Sequence, residues 1–295
     1  AALLLVDRGY QEAITYTFVD PTLQQRLFEG AESLPLANPI SAELGVMRVS
    51  LWPGLVQALL ENARRQQDRV RIFELGNRFL VRAGQLEERA SIAGLAWGRA
   101  VPEQWSADTR PVDFYDLKAD VEALLALAGA ADEFSFVAGA VDCLHPGRSA
   151  RIERAGATVG WIGQLHPRVS KELELKDAPY LFELDFAACF AARVPRFSEI
   201  SRFPVIRRDL AIVVEESARF DSIRSVVKAA AGEDLRDLTV FDVYRGPGVE
   251  SGRKSIALGL ILQATSRTLT DADADAVMAS VIARLQGELG AVIRE

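Results

Sequence analysis

Residues able to do chemistry are spread through this chain, and few stand at a spacing that chemistry requires. Asp113, Asp116 and Asp120 fall at i, i+3 and i+7, along one side of a helix start. Three carboxylates so placed could hold a divalent cation. Acidic residues in a first helical turn more commonly face solvent and complement the helix dipole, and Asp271, Asp273 and Asp275 after Thr270 read the same way. His145 and His166 each precede a proline, and Cys143 and Cys189 form no CxxC pair. A zinc site would need a Cys, a His and carboxylates from distant segments, so no metal site is assigned. The two thiols read as buried or half-buried in a reduced chain. There is no phosphate-cradling GxxxxGK[ST] loop and no GxSxG elbow. Glu74, following Arg71-Ile72-Phe73, could meet a substrate as a lone carboxylate. No catalytic residue is assigned.

A sharper feature lies in the last third. Arg207, Arg208, Arg253, Lys254 and Arg267 fall at expected strand ends or loops, and Phe241 and Tyr244 in a hairpin. On the open face of a sheet, aromatic and basic groups can stack and clamp unpaired bases, each stack contributing roughly 1–3 kcal/mol. The pattern equally allows Phe241 in the core and the arginines as a solvated rim.

These residues must be positioned by a folded chain of ordinary composition. With 295 residues, about two domains are expected. Apolar residues make up 49% and charged residues 25%, which excludes a disordered tail, a collagen-like repeat or a disulfide-rich miniprotein. The longest apolar stretch, Ala123 to Ala131, is about half of the ~20 residues a membrane span needs. Ala1 to Val6 lacks a basic leader, and the abrupt start without Met suggests a fragment of something longer. Net charge is −7, and each side of Phe197 keeps a small acidic excess, against binding by bulk attraction to phosphate.

The clearest seam runs from Ala191 to Arg202, where Val194-Pro195 and Phe203-Pro204 bracket a polar stretch. Domains 1–195 and 196–295 are expected on either side. Beyond it, Asp209–Val214 reads as a strand, and Asp221 opens a helix striped by Ile223, Val226 and Val227 and closed by Gly232. Strands at Leu238–Tyr244 and Ser255–Leu262 follow, then a helix capped by Thr270, ended by Gly290, and a short strand Val292-Ile293. The order β-α-β-β-α-β predicts a ferredoxin-like sandwich. In the first part, a helix starts at Pro53, with Arg64-Arg65 near its end. Val70–Phe73 and Phe79–Val81 flank Gly76-Asn77 and read as a hairpin. Ser91–Trp97 is a strand, Phe114–Ala128 a helix, Arg151–Glu153 and Val159–Ile162 a hairpin around Gly156, and Leu181–Leu184 a closing strand. The expected class is α+β on an antiparallel sheet.

Longer strings add a family resemblance. Asn38-Pro39-Ile40-Ser41, Val46-Met47-Arg48-Val49-Ser50-Leu51-Trp52-Pro53-Gly54-Leu55, Ile72-Phe73-Glu74-Leu75-Gly76 and Asp113-Phe114-Tyr115-Asp116-Leu117-Lys118 resemble the β subunit of bacterial phenylalanyl-tRNA synthetase. So do His145-Pro146-Gly147, Gly160-Trp161-Ile162-Gly163-Gln164-Leu165-His166-Pro167, Phe241-Asp242-Val243-Tyr244 and Arg267-Thr268-Leu269-Thr270. The resemblance runs collinearly through nearly the whole chain. It implies a class II synthetase-like antiparallel sheet domain that has lost catalysis, consistent with a motif-2-like strand at Arg71–Gly76 and no Gly-x-Gly-x-x-Arg segment to grip ATP. It further implies scaffolding of an α subunit in a cytoplasmic (αβ)2 heterotetramer, with ATP and magnesium serving the full assembly and no cofactor here. Arg48 and Glu74 are then expected to pair or to face a subunit. The second domain resembles the family's anticodon-binding module. The family's contacts to tRNA-Phe carry over to Tyr244 as a stacking ring, Asp242 as an acceptor from a guanine edge and Ser255 as a hydrogen-bonding group. Arg253, Lys254 and Arg294 are added as phosphate contacts on charge and position. The resemblance covers the C-terminal third or so of such a subunit, without its editing and magnesium-associated parts.

Two other classes compete. A small-molecule-sensing regulatory protein would need a Gly-rich loop between the first strand and helix of its ferredoxin-like unit, where this chain has Glu215-Glu216-Ser217-Ala218-Arg219. A metal-dependent hydrolase would use Asp113 and Asp116.

Overall fold

The computed structural model describes every residue except 108, 140, 195, 196, 198, 199 and 295. The expected seam at 191–202 therefore lies partly outside the described residues. The chain divides into two compact units, Ala1–Pro195 and Arg196–Glu295.

The first unit is built on β1 (Gln11–Glu12), β4 (Arg69–Arg82), β5 (Gln85–Gly98), β6 (Phe134–Ala138), β7 (Leu144–Arg154), β8 (Ala157–Leu165) and β9 (Tyr180–Asp185), with β2 (Phe18–Val19) and β3 (Val46–Met47) forming a separate ribbon. The large sheet has the order β1-β4-β5-β9-β8-β7-β6, parallel at β1–β4 and antiparallel elsewhere. Helices α1 (Ala2–Asp7), α4 (Phe114–Ala126) and α6 (Phe186–Phe190) contribute Leu5, Leu117, Val121, Leu124 and Cys189 to the core on one face. Helices α2 (Pro21–Leu27), α3 (Trp52–Arg64) and α5 (Pro167–Glu172) contribute Leu27, Leu55, Leu59 and Val169 to the other. Strand side chains alternate between faces. Ile92 and Ala96 of β5 accordingly join the first core, and Ala93 and Leu95 the second.

The expected hairpin turn at Gly76-Asn77 is not there. β4 runs unbroken through both residues, and the chain reverses at Ala83-Gly84, both at positive φ. Gly76 answers a different demand. A Cβ at this position would collide with Nη2 of Arg48, which crosses the strand. The glycine marks close approach of a side chain rather than a turn.

Asp113 and Asp116 form the capping box of α4, each carboxylate accepting the other's backbone N–H. The expectation that all three aspartates face solvent fails at Asp120, which is 4% exposed. It accepts hydrogen bonds from Arg8 (2.8 Å), Tyr10 (2.7 Å) and Arg71 (3.1 Å), tying the N-terminal segment to the sheet. Three donors make burial of that charge tolerable.

The second unit follows the expected order. Strands β10 (Ile206–Glu215), β11 (Leu235–Tyr244), β12 (Arg253–Leu262) and β13 (Val292–Ile293) form an antiparallel sheet in the order β11-β12-β10-β13. Helices α7 (Phe220–Ala231) and α8 (Asp271–Leu289) pack on one face, with Ile223, Val227, Val281 and Leu285 meeting Leu210, Ile212, Val214, Leu258 and Leu260. Thr270 caps α8 in a capping box with Asp273, and Gly290 ends it in the left-handed region. The α+β class, a largely antiparallel sheet followed by a ferredoxin-like sandwich, is the architecture found.

Candidate nucleic-acid interface

The side chains of the second unit that could meet a ligand gather on the sheet face its helices leave open. On β10, Leu210, Ile212 and Val214 enter the core, so Arg207, Asp209, Ala211 and Val213 alternate to the open side. Opposite them on β12 stand Ser255, Ala257, Gly259 and Ile261. Four of these eight residues are glycine, alanine or serine, which keeps the floor low.

On β11 strict alternation would put Phe241 with Val243, and Asp242 with Tyr244 on the reverse side. A β-bulge between Val240 and Asp242 breaks that alternation. Val240 packs against the core and Val243 pairs with Ile256, while Asp242 pairs with Ala257 and Tyr244 with Ser255. Phe241, Asp242 and Tyr244 are thereby all carried to the open side. Phe241 is 52% exposed, which removes its core reading.

Tyr244 is 36% exposed, and its hydroxyl donates to the Pro247 carbonyl (3.2 Å), which fixes the ring. The Arg294 guanidinium lies 5.2 Å from the ring centroid, a cation–π arrangement, and its backbone N–H donates to Ala211 (2.9 Å). Asp242 is exposed, and its carboxylate makes no hydrogen bond or ion pair with other described residues. Ser255 is 5% exposed and so sits behind the surface that Tyr244 presents.

Four other basic candidates are engaged elsewhere. Arg253 donates to the Gly290 carbonyl (2.9 Å) and pairs with Glu215 (3.5 Å), and Lys254 donates to the Glu216 carbonyl (2.7 Å) at the end of the sheet. Arg208 is paired with Asp271 and Asp275, and Arg267 with Asp273, all along the start of α8. The pairing with Arg267, together with the Thr270 donors, holds the Asp273 carboxyl well below its ordinary range. The structure thus brings together Asp242, Tyr244, Ser255 and Arg294, and leaves Arg253 and Lys254 at one end.

In the first unit, Arg48 (2% exposed) and Glu74 (3%) form an ion pair of 2.7 Å. Arg48 also donates to Thr15 Oγ1 (3.0 Å) and the Asn77 carbonyl (2.8 Å), and Thr15 Oγ1 donates to Glu74 (2.7 Å). Both charges are satisfied internally. His166 caps α5 by accepting the Arg168 N–H, and His145 accepts the Gly147 N–H. Among the described residues, no three His, Cys, Asp or Glu side chains converge where a metal could sit.

Comparison with known proteins matches residues 1–186 to the phenylalanyl tRNA synthetase beta chain CLM domain, and residues 201–294 to the ferredoxin-fold anticodon binding domain. The chain belongs to the phenylalanyl-tRNA synthetase β-chain family. It is 49% identical to a phenylalanine–tRNA ligase beta subunit of Pseudomonas fluorescens, 48% to that of Methylococcus capsulatus and 47% to that of Nitrosococcus oceani. Each match covers 99% of this chain and 37% of the relative's length. Nothing in these matches favours a small-molecule-sensing regulatory module. A pyrrolysyl tRNA synthetase from Desulfitobacterium hafniense superposes with a TM-score of 0.48 at 16% identity, over 62% of this chain and 60% of that one.

Proposed function

We propose that this chain is the non-catalytic, anticodon-reading part of a phenylalanine–tRNA ligase β subunit. The observation that carries the reading is the exposed Tyr244 ring beside the exposed Asp242 carboxylate, on the helix-free face of a unit that matches an anticodon-binding module. A base of tRNA-Phe stacks on Tyr244, and Asp242 accepts from the amino edge of guanine, since an ionised carboxylate can only accept. Arg294, already over the ring, flanks the stacked base. Base identity is read at a local site, so the acidic balance of the unit is no obstacle.

The first unit serves as a scaffold for the α subunit in an (αβ)2 assembly in the cytoplasm. Arg48 and Glu74, expected to pair or to face a subunit, neutralise each other inside the unit. Asp113 and Asp116 cap a helix and Asp120 binds three donors, so these carboxylates are committed within the fold, and in this reading ATP and magnesium serve the full assembly. Among the described residues no helix is long and apolar enough to cross a membrane.

The test is binding of a tRNA-Phe anticodon stem–loop to the chain. Tyr244→Ala should weaken it by about 1–3 kcal/mol, one base stack, with the fold intact. Equal affinity of wild type and variant would remove Tyr244 from the site. Co-purification with a bacterial α subunit, followed by sizing, tests the scaffold role, and failure to associate when the two are co-expressed would count against it.

A further inference from the structure

The bulge in β11 exposes a second aromatic ring as well as Tyr244. We infer that Phe241 and Arg207 form a second stacking site, which holds another unpaired base of the same RNA loop beside the one on Tyr244; this rests on the reading of the open face as an RNA site.

Phe241 is 52% exposed and, unlike tyrosine, has no polar tip to account for its place in water. The Arg207 guanidinium lies 5.5 Å from its ring centroid and is held by Asp209, whose Oδ1 accepts from Arg207 Nε at 2.8 Å. Gly259 supplies the floor beneath this pair. A Cβ there would stand 3.2 Å from Arg207 Nη2 and 3.3 Å from Asp209 Oδ1, so a side chain would press both away from the sheet. The result is a planar cation laid against an aromatic ring, more than half of each in solvent. Aromatic rings and arginine planes are the surfaces on which splayed bases stack.

Phe241 and Tyr244 are separated by three strand steps, at most about 10 Å at ~3.3 Å per residue and less across the bulge. Two bases resting on them are thus held apart from one another, with Asp242 between. Stacking tolerates any base because every base has a π face. The second site therefore adds affinity and orientation, while discrimination stays with Asp242.

The experiment uses an anticodon stem–loop of tRNA-Phe with the fluorescent base 2-aminopurine placed at each loop position in turn, titrated with the full chain. Wild type should quench two loop positions. Tyr244→Ala should release one and Phe241→Ala the other, and Phe241→Ala should bind about 5- to 140-fold more weakly, the range of one lost stack. Phe241→Trp, which keeps a ring, should restore both quenching and affinity. Melting of Phe241→Ala should match wild type, because the ring lies outside the core. If Tyr244→Ala loses its position while Phe241→Ala keeps every other position quenched and binds within about twofold of wild type, far below one stack, the second site is wrong and the first stands. If wild type quenches no position, the reading of the face as an RNA site falls and this site falls with it.

Discussion

Arg48→Met would remove a guanidinium that is 2% exposed and leave the Glu74 carboxylate, 3% exposed, without its countercharge. Among the described residues, only the Thr15 hydroxyl would remain of the partners of that carboxylate within 3 Å. Breaking a buried pair on one side costs about 3–5 kcal/mol, because the surviving charge stays in a low-dielectric interior. That is a large fraction of the ~5–15 kcal/mol that holds a domain together. Glu74→Gln should cost a similar amount by stranding Arg48. The double variant should fall short of the sum by about 2 kcal/mol or more, since the second change relieves the charge the first has exposed. Gly76→Ala extends the test to the strand. Its Cβ would collide with Arg48 Nη2, an overpacking cost of about 1–3 kcal/mol in the wild-type background. In the Arg48→Met background the nearest colliding atom is gone, leaving Glu74 Oε1 at 3.2 Å and Leu51 Cδ2 at 3.3 Å, and the cost should drop below about 1.5 kcal/mol, that of a tolerated core change. Urea unfolding followed by tryptophan fluorescence isolates the effect, because Trp52, Trp97, Trp105 and Trp161 all lie in the first unit. The reasoning is refuted if Arg48→Met costs under about 1 kcal/mol, or if Gly76→Ala is equally costly in both backgrounds.

Other perturbations follow from the same core. Burial raises the Glu183 carboxyl above its ordinary value of 4.5, against the lowering effects of Arg78, the Leu51 N–H and Arg48. Its protonated form is therefore favoured in the fold; the contribution to stability is full below pH 4.5 and is lost as pH rises through the folded value. Glu183→Gln should accordingly raise the melting temperature by an increment that grows from about pH 4 to about pH 8, and an increment that shrinks over that range would contradict the assignment. Burial pushes the Cys143 and Cys189 thiols up to about 12, so neither should react with a disulfide reagent at neutral pH until denaturant is added. Rapid labelling of the native chain would show the thiols to be accessible. Gly98 has φ +82°, and a Cβ there would meet the Asp68 carbonyl oxygen. Gly98→Ala should destabilise the first unit by about 1–3 kcal/mol or more, read by the same tryptophan signal, and a neutral outcome would show that the β4–β5 end can shift.

The second unit was legible almost residue by residue because its signals are local. The alternation in Asp209–Val214, the stripe Ile223, Val226, Val227, the Thr270 cap and the Gly290 stop each act within a few residues of themselves. The first unit was legible wherever the same held, as at Pro53 or the Ala155-Gly156 turn. It misled where a residue answered to something distant. Gly76 looked like a turn because glycine usually punctuates, and its cause was the Arg48 guanidinium crossing β4. Asp120 looked solvated because its partners Arg8, Tyr10 and Arg71 come from other elements. The candidate site divides along the same line. Residue type and collinear strings singled out Asp242, Tyr244 and Ser255, and charge singled out Arg294. Periodicity could not bring Phe241, Asp242 and Tyr244 to one face, since the alternation of an unbroken strand forbids it. A one-residue bulge against β12 decided that, together with the choice of which arginines lie over rings and which are bound to carboxylates along α8. By itself the sequence determined the elements and order of the second unit and several of the longer elements of the first, because caps, turns and hydrophobic periods are near-neighbour physics. Which side chains share a surface was left to tertiary structure, because strand register and buried charge pairing are settled only when distant segments meet.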